Sequence, residues 1–366
     1  MNKKIRIIGA VIVAILWITL TAFAWFLPAR EMSESERRKL AQFPELTVET
    51  ILDGKFTSNF ETYTLDQFPL RDTFRQIKSI FHYYALAQMD NNDIYVYGGY
   101  AAKMEYPLNE GSVENALNKF NNIYKTSLRG KGVKVYFSVV PDKGYYLAEE
   151  SGHLAMDYEK LFQSFQDIQW AEYIDITDTL TLGSYYYTDT HWRQEQILPT
   201  AQKLCEAMGA PITEGDNFTE DLVLKPFYGV YYGQAALPMK PEFMFTMNNE
   251  YTANSTVFDY ETNETIRVYD DYAIQDKDLY DTYLHGAKAL LRIDNPNAKT
   301  NKELVIFRDS FGSSIIPLML ENYKTVTIVD IRYISSQMLN NYIRFTNQDV
   351  LFLYSTLVLN SSFTFK

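Results

Sequence analysis

Apolar residues are spread along the chain in three different ways. Ile7 to Leu27 is an unbroken run with no charged residue. At 1.5 Å of rise per residue, a helix of that length spans a bilayer core of roughly 30 Å. Between Gly54 and Leu86 the apolar positions recur at helical spacing instead. Phe56, Phe60 and Tyr63 form one stripe over Gly54–Asp66, and Phe74, Ile77, Phe81 and Tyr84 another over Arg71–Leu86. From about Asp93 strand-like and helix-like segments alternate. Strands are expected at Ile94–Tyr97, Val133–Val140, Tyr173–Ile176, Glu303–Phe307, Thr325–Val329 and Asp349–Tyr354. Helices are expected at Val113–Leu128, Tyr158–Phe165, Trp192–Met208, Ser314–Asn322 and Ser335–Phe345, with Pro199 marking a kink or a restart of the third.

Strands separated by helices predict βαβ units, and hence an α/β fold with a central parallel sheet. Ala210 to Thr300 interrupts the alternation with aromatic residues scattered among Gly, Pro, Asn and Thr, which reads as a β-rich insertion at about 210–300. The expected organisation is therefore residues 1–30 as a cytoplasmic tip and transmembrane signal-anchor, 31–92 as a juxtamembrane linker and helical segment, and 93–366 as one α/β domain. Lys3, Lys4 and Arg6 precede the apolar run and favour an N-terminus that stays in the cytoplasm, with the rest outside. A cleavable signal peptide with Ala22-Phe23-Ala24 as its site is the rival. The run exceeds a typical signal core, and bulky Trp25 and Phe26 follow the site, so an uncleaved anchor is expected.

Composition narrows the functional classes. The formal net charge of −12 argues against a chain built to grip nucleic-acid phosphates. Cys205 stands alone, which excludes an intramolecular disulfide framework and a Cys-rich zinc site. The 29 Tyr and 23 Phe suit sugar faces and core filling alike.

Open α/β sheets place their chemistry at the carboxyl ends of the strands. Leu304 to Phe307 leads into Arg308-Asp309-Ser310-Phe311-Gly312-Ser313-Ser314, so a hydroxyl is expected at the rim just before a helix. A helix N-terminus there would help to stabilise an oxyanion after serine attack. Asp309, Ser310 and Ser313 equally suit plain helix capping. Of the four histidines His82, His153, His191 and His285, His191 stands out because it follows Asp189-Thr190 and precedes Trp192. If this stretch is extended, the Asp189 and His191 side chains share a face, and the carboxylate can fix the imidazole tautomer. Trp192 is assigned to packing. No further ligand supports a metal site here, and no cofactor is implied.

Together the Asp189-Thr190-His191-Trp192 string and the later strand ending in Asp309-Ser310-Phe311-Gly312 resemble the DHHW protein family. That family is related to the SGNH-hydrolase-like domains of alginate O-acetylation proteins. Ser33 to Leu40, Phe43-Pro44, Asp53-Gly54, Phe68 to Asp72, Pro141-Asp142-Lys143 and Asp330-Ile331-Arg332-Tyr333 are similar too, in the same order. The resemblance implies an SGNH-hydrolase-like three-layer α/β fold. It implies Asp189 as orienter, His191 as base and Ser310 as nucleophile for acetyl transfer to a polysaccharide hydroxyl. Arg308 departs from the pattern, standing where a Gly-Asp-Ser string has glycine. Arg332 and Tyr333, just past the Thr325–Val329 strand, are candidates for substrate or oxyanion binding, or for a structural ion pair and a core tyrosine.

The function expected is a membrane-anchored extracellular O-acetyltransferase acting on a cell-envelope or secreted polysaccharide. Its acetyl donor would be a membrane-bound O-acyltransferase partner. The alternatives are a carbohydrate acetyl esterase with the same triad, and a catalytically silent polysaccharide-binding or assembly module.

Overall fold

The structure, a computed structural model, describes residues 3–33, 35–271 and 278–366. Glu34, inside the Ser33–Leu40 string, and positions 272–277, inside the β-rich stretch, lie outside the described residues. The chain divides into two units: Met1–Asn91 with Tyr232–Pro238, and Asn92–Tyr231 with Met239–Lys366.

The first unit opens with α1, Lys3–Phe26. Its stretch Lys4–Phe26 reaches a mean hydropathy of 2.5 over an 18-residue window and, among the described residues, is the one helix long and apolar enough to cross a membrane. Short helices follow: α2 (Val48–Leu52), α3 (Lys55–Asp66) and α4 (Arg71–Ile80). The aromatic stripe of α3 packs as its spacing predicts, with Phe43 lying 6.3, 5.8 and 5.4 Å from Phe56, Phe60 and Tyr63. The expected helix to Leu86 instead leaves α geometry after Ile80, where Phe81–Ala85 winds as a wider π-type turn.

The second unit carries β1 (Ile94–Tyr97) and β2 (Tyr100–Lys103), a hairpin, followed by α5 (Glu110–Ile123). Next come β3 (Lys134–Val140), α6 (Lys143–Ser151), α7 (Tyr158–Gln166), β4 (Glu172–Tyr173) and α8 (Leu198–Ala207). The β-rich stretch holds β5 (Thr219–Leu222), β6 (Phe245–Asn248), β7 (Thr256–Asp259), β8 (Glu264–Ile266) and β9 (Leu290–Asp294). Then follow β10 (Lys302–Arg308), β11 (Tyr323–Val329) and β12 (Asp349–Ser355).

Eight strands form one sheet in the order β8-β7-β9-β11-β10-β12-β3-β4. The run from β11 to β4 is parallel, while β9, β7 and β8 add on antiparallel. Most of the strands of the β-rich stretch therefore extend the central sheet rather than forming a separate layer; β5 and β6 pair by themselves.

The parallel strands read as continuous apolar runs because both faces are buried. Leu304, Ile306, Leu351 and Leu353 enter the core on one side, and Val305, Phe307, Val350 and Phe352 that on the other. Register places Phe307 beside Phe352 and Phe352 beside Phe137, and these rings stack at 4.6 and 5.8 Å. Burying a Phe of this kind contributes about 2–3 kcal/mol, so the Phe ladder fixes strand order as well as the core.

Several expected elements are shorter than their apolar pattern. The Tyr173–Ile176 strand stops at Tyr173, because the chain turns at Asp175, whose carboxylate accepts from the Thr177 N–H at 2.9 Å. The helix expected at Ser335–Phe345 is reduced to Leu339–Tyr342. The helix expected from Trp192 begins at Leu198, with Pro199 in its first turn, so proline marks a restart and not a kink.

Candidate active site

β10 and β12 end side by side, at Arg308 and Ser355, so their following residues share the carboxyl rim of the sheet. Asp309 locks this rim. One carboxylate oxygen accepts from the Phe311 N–H at 3.0 Å, and the other from Ser355 N at 2.7 Å and Ser355 Oγ at 2.6 Å. The turn at Ser310 is thus tied to the next strand. Arg308, fully buried, replaces the glycine of the family pattern without a clash because Gly312 packs on it. A Cβ on Gly312 would come within 2.7 Å of the Arg308 Cβ. Burial lowers the Arg308 pKa, and the Asp330 carboxylate at 3.7 Å opposes that only in part.

Ser310 meets His191 at this rim. The His191 Nε2 lies 2.7 Å from Ser310 Oγ, and Nδ1 lies 2.6 Å from Asp189 Oδ1. Asp189 Oδ2 accepts from the Val230 N–H at 2.8 Å. Asp189 is fully buried and His191 is 8% exposed. A carboxylate on Nδ1 leaves Nε2 as acceptor for a hydroxyl proton, the arrangement a serine nucleophile requires.

The three residues singled out in the sequence therefore come together, although not by the expected route. Asp189 to His191 is a turn, not a strand, and the Asp189 Oδ1 accepts the His191 backbone N–H at 3.0 Å as well as the ring N–H. One oxygen thus fixes both the turn and the ring. The helix after Ser310 is a single turn, Gly312–Ile315, passing into a 3-10 stretch over Ile316–Asn322 that contains Pro317. Proline there removes an N–H and stops the α ladder, so the expected helix-dipole assistance is confined to one turn.

Trp192 does more than fill space. It is fully buried, and its Nε1–H reaches Phe311 O at 3.0 Å and Ser314 Oγ at 2.8 Å. It therefore bolts the histidine turn to the serine turn. Sequence reasoning missed Tyr280, whose ring stacks on the His191 imidazole at 3.9 Å and 9° and whose hydroxyl bonds Ser314 Oγ at 2.8 Å. It sits in the 3-10 turn Leu279–Thr282 and carries no periodic signal.

Arg332 and Tyr333 lie past β11 on the same rim. Arg332 grips Asp330 with Nε at 2.9 Å and Nη2 at 2.6 Å, and its guanidinium sits over the Tyr333 ring at 5.5 Å. Burial would lower the Arg332 pKa, but the Asp330 bonds reverse that, and the net direction is up. Tyr333 is 46% exposed, so it is a surface ring and not a core tyrosine.

A Ser-His-Asp line at the carboxyl rim of an α/β sheet is an arrangement that can carry out nucleophilic attack on an ester carbonyl. The sequence matches the family described as DHHW protein over residues 177–329, a segment that holds Asp189, His191 and Ser310. Among solved structures, a DHHW family protein from Eubacterium siraeum is 20% identical, with a TM-score of 0.58. The match covers 74% of this chain and 93% of that one. Bacillus cereus PatB1, solved with a sulfonyl adduct, is 18% identical with a TM-score of 0.58, covering 73% of this chain and 95% of that one. PatB1 without the adduct gives a TM-score of 0.57. These likenesses establish a shared fold. No curated protein matches the sequence.

Proposed function

We propose that the chain is a membrane-anchored, SGNH-like O-acetyltransferase that places acetyl groups on a cell-envelope or secreted polysaccharide. The observation that carries the reading is the hydrogen-bonded line from Asp189 through His191 to Ser310. A protein of the same fold, PatB1, was solved with a sulfonyl adduct. The apolar α1 helix supports a single-pass anchor with the site outside the membrane.

In this mechanism Ser310 Oγ attacks the acetyl carbonyl of the donor while His191 Nε2 takes the hydroxyl proton. The tetrahedral intermediate collapses, the donor's leaving oxygen receives that proton, and acetyl-Ser310 remains. A polysaccharide hydroxyl then gives its proton to His191 and attacks the ester. The acetyl group moves to the sugar, and the proton returns to Ser310. Asp189 stabilises the imidazolium in both halves. The donor is a membrane-bound O-acyltransferase partner, because a cytoplasmic thioester does not reach this side. Tyr333 offers an exposed ring to the sugar, while Arg332, engaged with Asp330, holds the rim in place.

Full-length protein in detergent, treated with nitrophenyl acetate, tests this directly. Release of nitrophenol and one added acetyl group on the Ser310 peptide are expected, and both vanish in Ser310→Ala. Added oligosaccharide then distinguishes transfer, seen as acetylated sugar, from an esterase, which yields only acetate. Adduct and turnover surviving in Ser310→Ala would remove the enzymatic reading in favour of a binding module.

A further inference from the structure

The segment from Tyr186 to Thr188 delivers Asp189 and His191 to the rim, yet it belongs to no strand ladder or helix. Around it the backbone is held by an isolated bridge, Tyr185 to Trp192, with Tyr186 N donating to His191 O at 3.1 Å. The remaining peptide groups need partners from elsewhere. Ala101 N donates to Tyr187 O at 2.7 Å and Tyr231 N to Thr188 O at 3.0 Å, and two buried side chains of opposite charge hold the rest. Lys143 is 2% exposed, and its Nζ donates to Tyr186 O at 2.9 Å and to Tyr187 O at 3.3 Å. Glu242 is 9% exposed and accepts from Tyr187 N at 2.5 Å, Thr188 N at 2.8 Å and Thr188 Oγ1 at 2.8 Å.

The hold passes on to the site. With its proton given to Glu242, Thr188 Oγ1 accepts from Gly229 N at 2.9 Å. That contact presents the next amide, Val230 N, to Asp189 Oδ2 at 2.8 Å. Lys143 is equally well anchored. It follows Pro141-Asp142 at the end of β3, and Asp142 is bound by Gly144 N, Tyr158 Oη and Thr356 Oγ1. The Lys143 ammonium also lies over the Tyr231 ring at 5.1 Å.

We propose that Lys143 and Glu242 are positioning residues for the Asp189–His191–Ser310 line: a buried pair of opposite charges that grips the carbonyl and amide edges of one peptide ribbon and fixes where it enters the site. The inference rests on the catalytic reading of that line, and it adds two residues that lie outside it. A buried charge left alone is costly, so each of these charges needs compensation from the groups that face it. Burial pulls the Lys143 pKa down to about 7, against the Asp189, Glu242 and Asp142 carboxylates that face it.

The test uses full-length Lys143→Met, which removes the donors, and Glu242→Gln, which keeps the shape and drops the charge. Each is expected to lose about 10–100-fold in kcat/KM on nitrophenyl acetate. The sign of the pH effect separates positioning from general damage. Losing the cation favours the imidazolium, so the acid limb of the rate profile moves to higher pH in Lys143→Met. Losing the anion moves it to lower pH in Glu242→Gln. Nitrogen NMR of the His191 ring in a Ser310→Ala background is expected to show the Nδ1–H tautomer alone, and a mixture when either clamp residue is replaced. This readout needs no turnover, so it stands even if the acetyl-transfer reading falls. Unmoved limbs together with an unmixed tautomer in both folded variants would overturn the proposal. So would acetic anhydride labelling of Lys143 in the native wild-type chain as readily as of the exposed lysines, a measurement that needs no variant to fold.

Discussion

Gly229 lies so close against Asp189 that a Cβ built on it would sit 2.3 Å from the Asp189 N, Cα and Cβ. The backbone that follows it donates Val230 N–H to the Asp189 carboxylate. Position 229 therefore admits no side chain, and the reason is contact with the orienting carboxylate, not a special backbone angle. Gly229→Ala must push the two segments apart. It is expected to destabilise the domain by about 1–3 kcal/mol through overpacking. It should also cut ester turnover about 100-fold by displacing Asp189. Thermal unfolding together with nitrophenyl acetate kinetics checks both, and wild-type values would mean that the loop has slack.

Trp192→Phe keeps most of the buried ring and deletes the indole N–H. Phe311 O and Ser314 Oγ each lose a donor, although Ser314 Oγ retains Tyr280 Oη at 2.8 Å. A loss of about 1–3 kcal/mol in unfolding free energy is expected for a buried acceptor left unpaired. Because the lost bonds tie the histidine turn to the serine turn, kcat should fall further than stability alone explains. A variant that loses stability with unchanged kcat would return Trp192 to a packing role.

The parallel strands were legible because both their faces are buried, so Leu304–Phe307 and Val350–Tyr354 are apolar without interruption. The hydroxyl at the strand end and the Asp-x-His pair were legible for the same kind of reason: few residue types can do that chemistry. What escaped was everything supplied by irregular backbone. Tyr280, Gly229 and Glu242 come from a stretch with no period, where neither helical nor strand spacing marks which residue faces the site. Lys143 was visible as part of Pro141-Asp142-Lys143, but nothing local says that its ammonium reaches the carbonyls of Tyr186 and Tyr187, 43 and 44 positions away. The Asp189–His191 pairing was anticipated from strand alternation and is achieved by a turn, since one carboxylate oxygen bonds both N–H groups of His191.

The N-terminal unit should be sensitive to acid through Asp66. Its carboxylate accepts Arg38 Nη1 at 2.8 Å, Arg38 Nη2 at 2.6 Å and Ala41 N at 2.9 Å. The Arg38 hydrogen bonds lead the effects that lower its pKa from 3.8 to about 2. A depressed acid binds fewer protons folded than unfolded, so its stabilisation is fully present above the unfolded value. It is lost as pH falls from about 4 through about 2, a loss of about 2 kcal/mol at most. Asp66→Asn should flatten stability over that window while weakening the unit at pH 7. Chemical denaturation at pH 7, 4 and 2 reads this, and parallel curves for wild type and variant would refute it.

Replacing the members of the triad should give a pattern that no structural defect reproduces. Ser310→Ala removes the attacking oxygen, and His191→Ala removes its base, so each should abolish most turnover; the double variant should be little worse, because the two act as one unit. Asp189→Asn is a subtler change. The carboxylate oxygens now accept His191 Nδ1–H and N–H on one side and Val230 N–H on the other. An amide has one oxygen and one NH2 group. If its oxygen faces His191, the NH2 group opposes Val230 N–H; if it is reversed, the NH2 group faces the imidazole and favours the tautomer that protonates Nε2. Either way the base is displaced or blocked. A loss of several orders of magnitude is expected, smaller than that of Ser310→Ala. Stopped-flow turnover of nitrophenyl acetate by the four variants, with folding checked by circular dichroism, reads the order. Additive losses in the double variant would mean that Ser310 and His191 work independently and that the 2.7 Å contact between them is not the proton path.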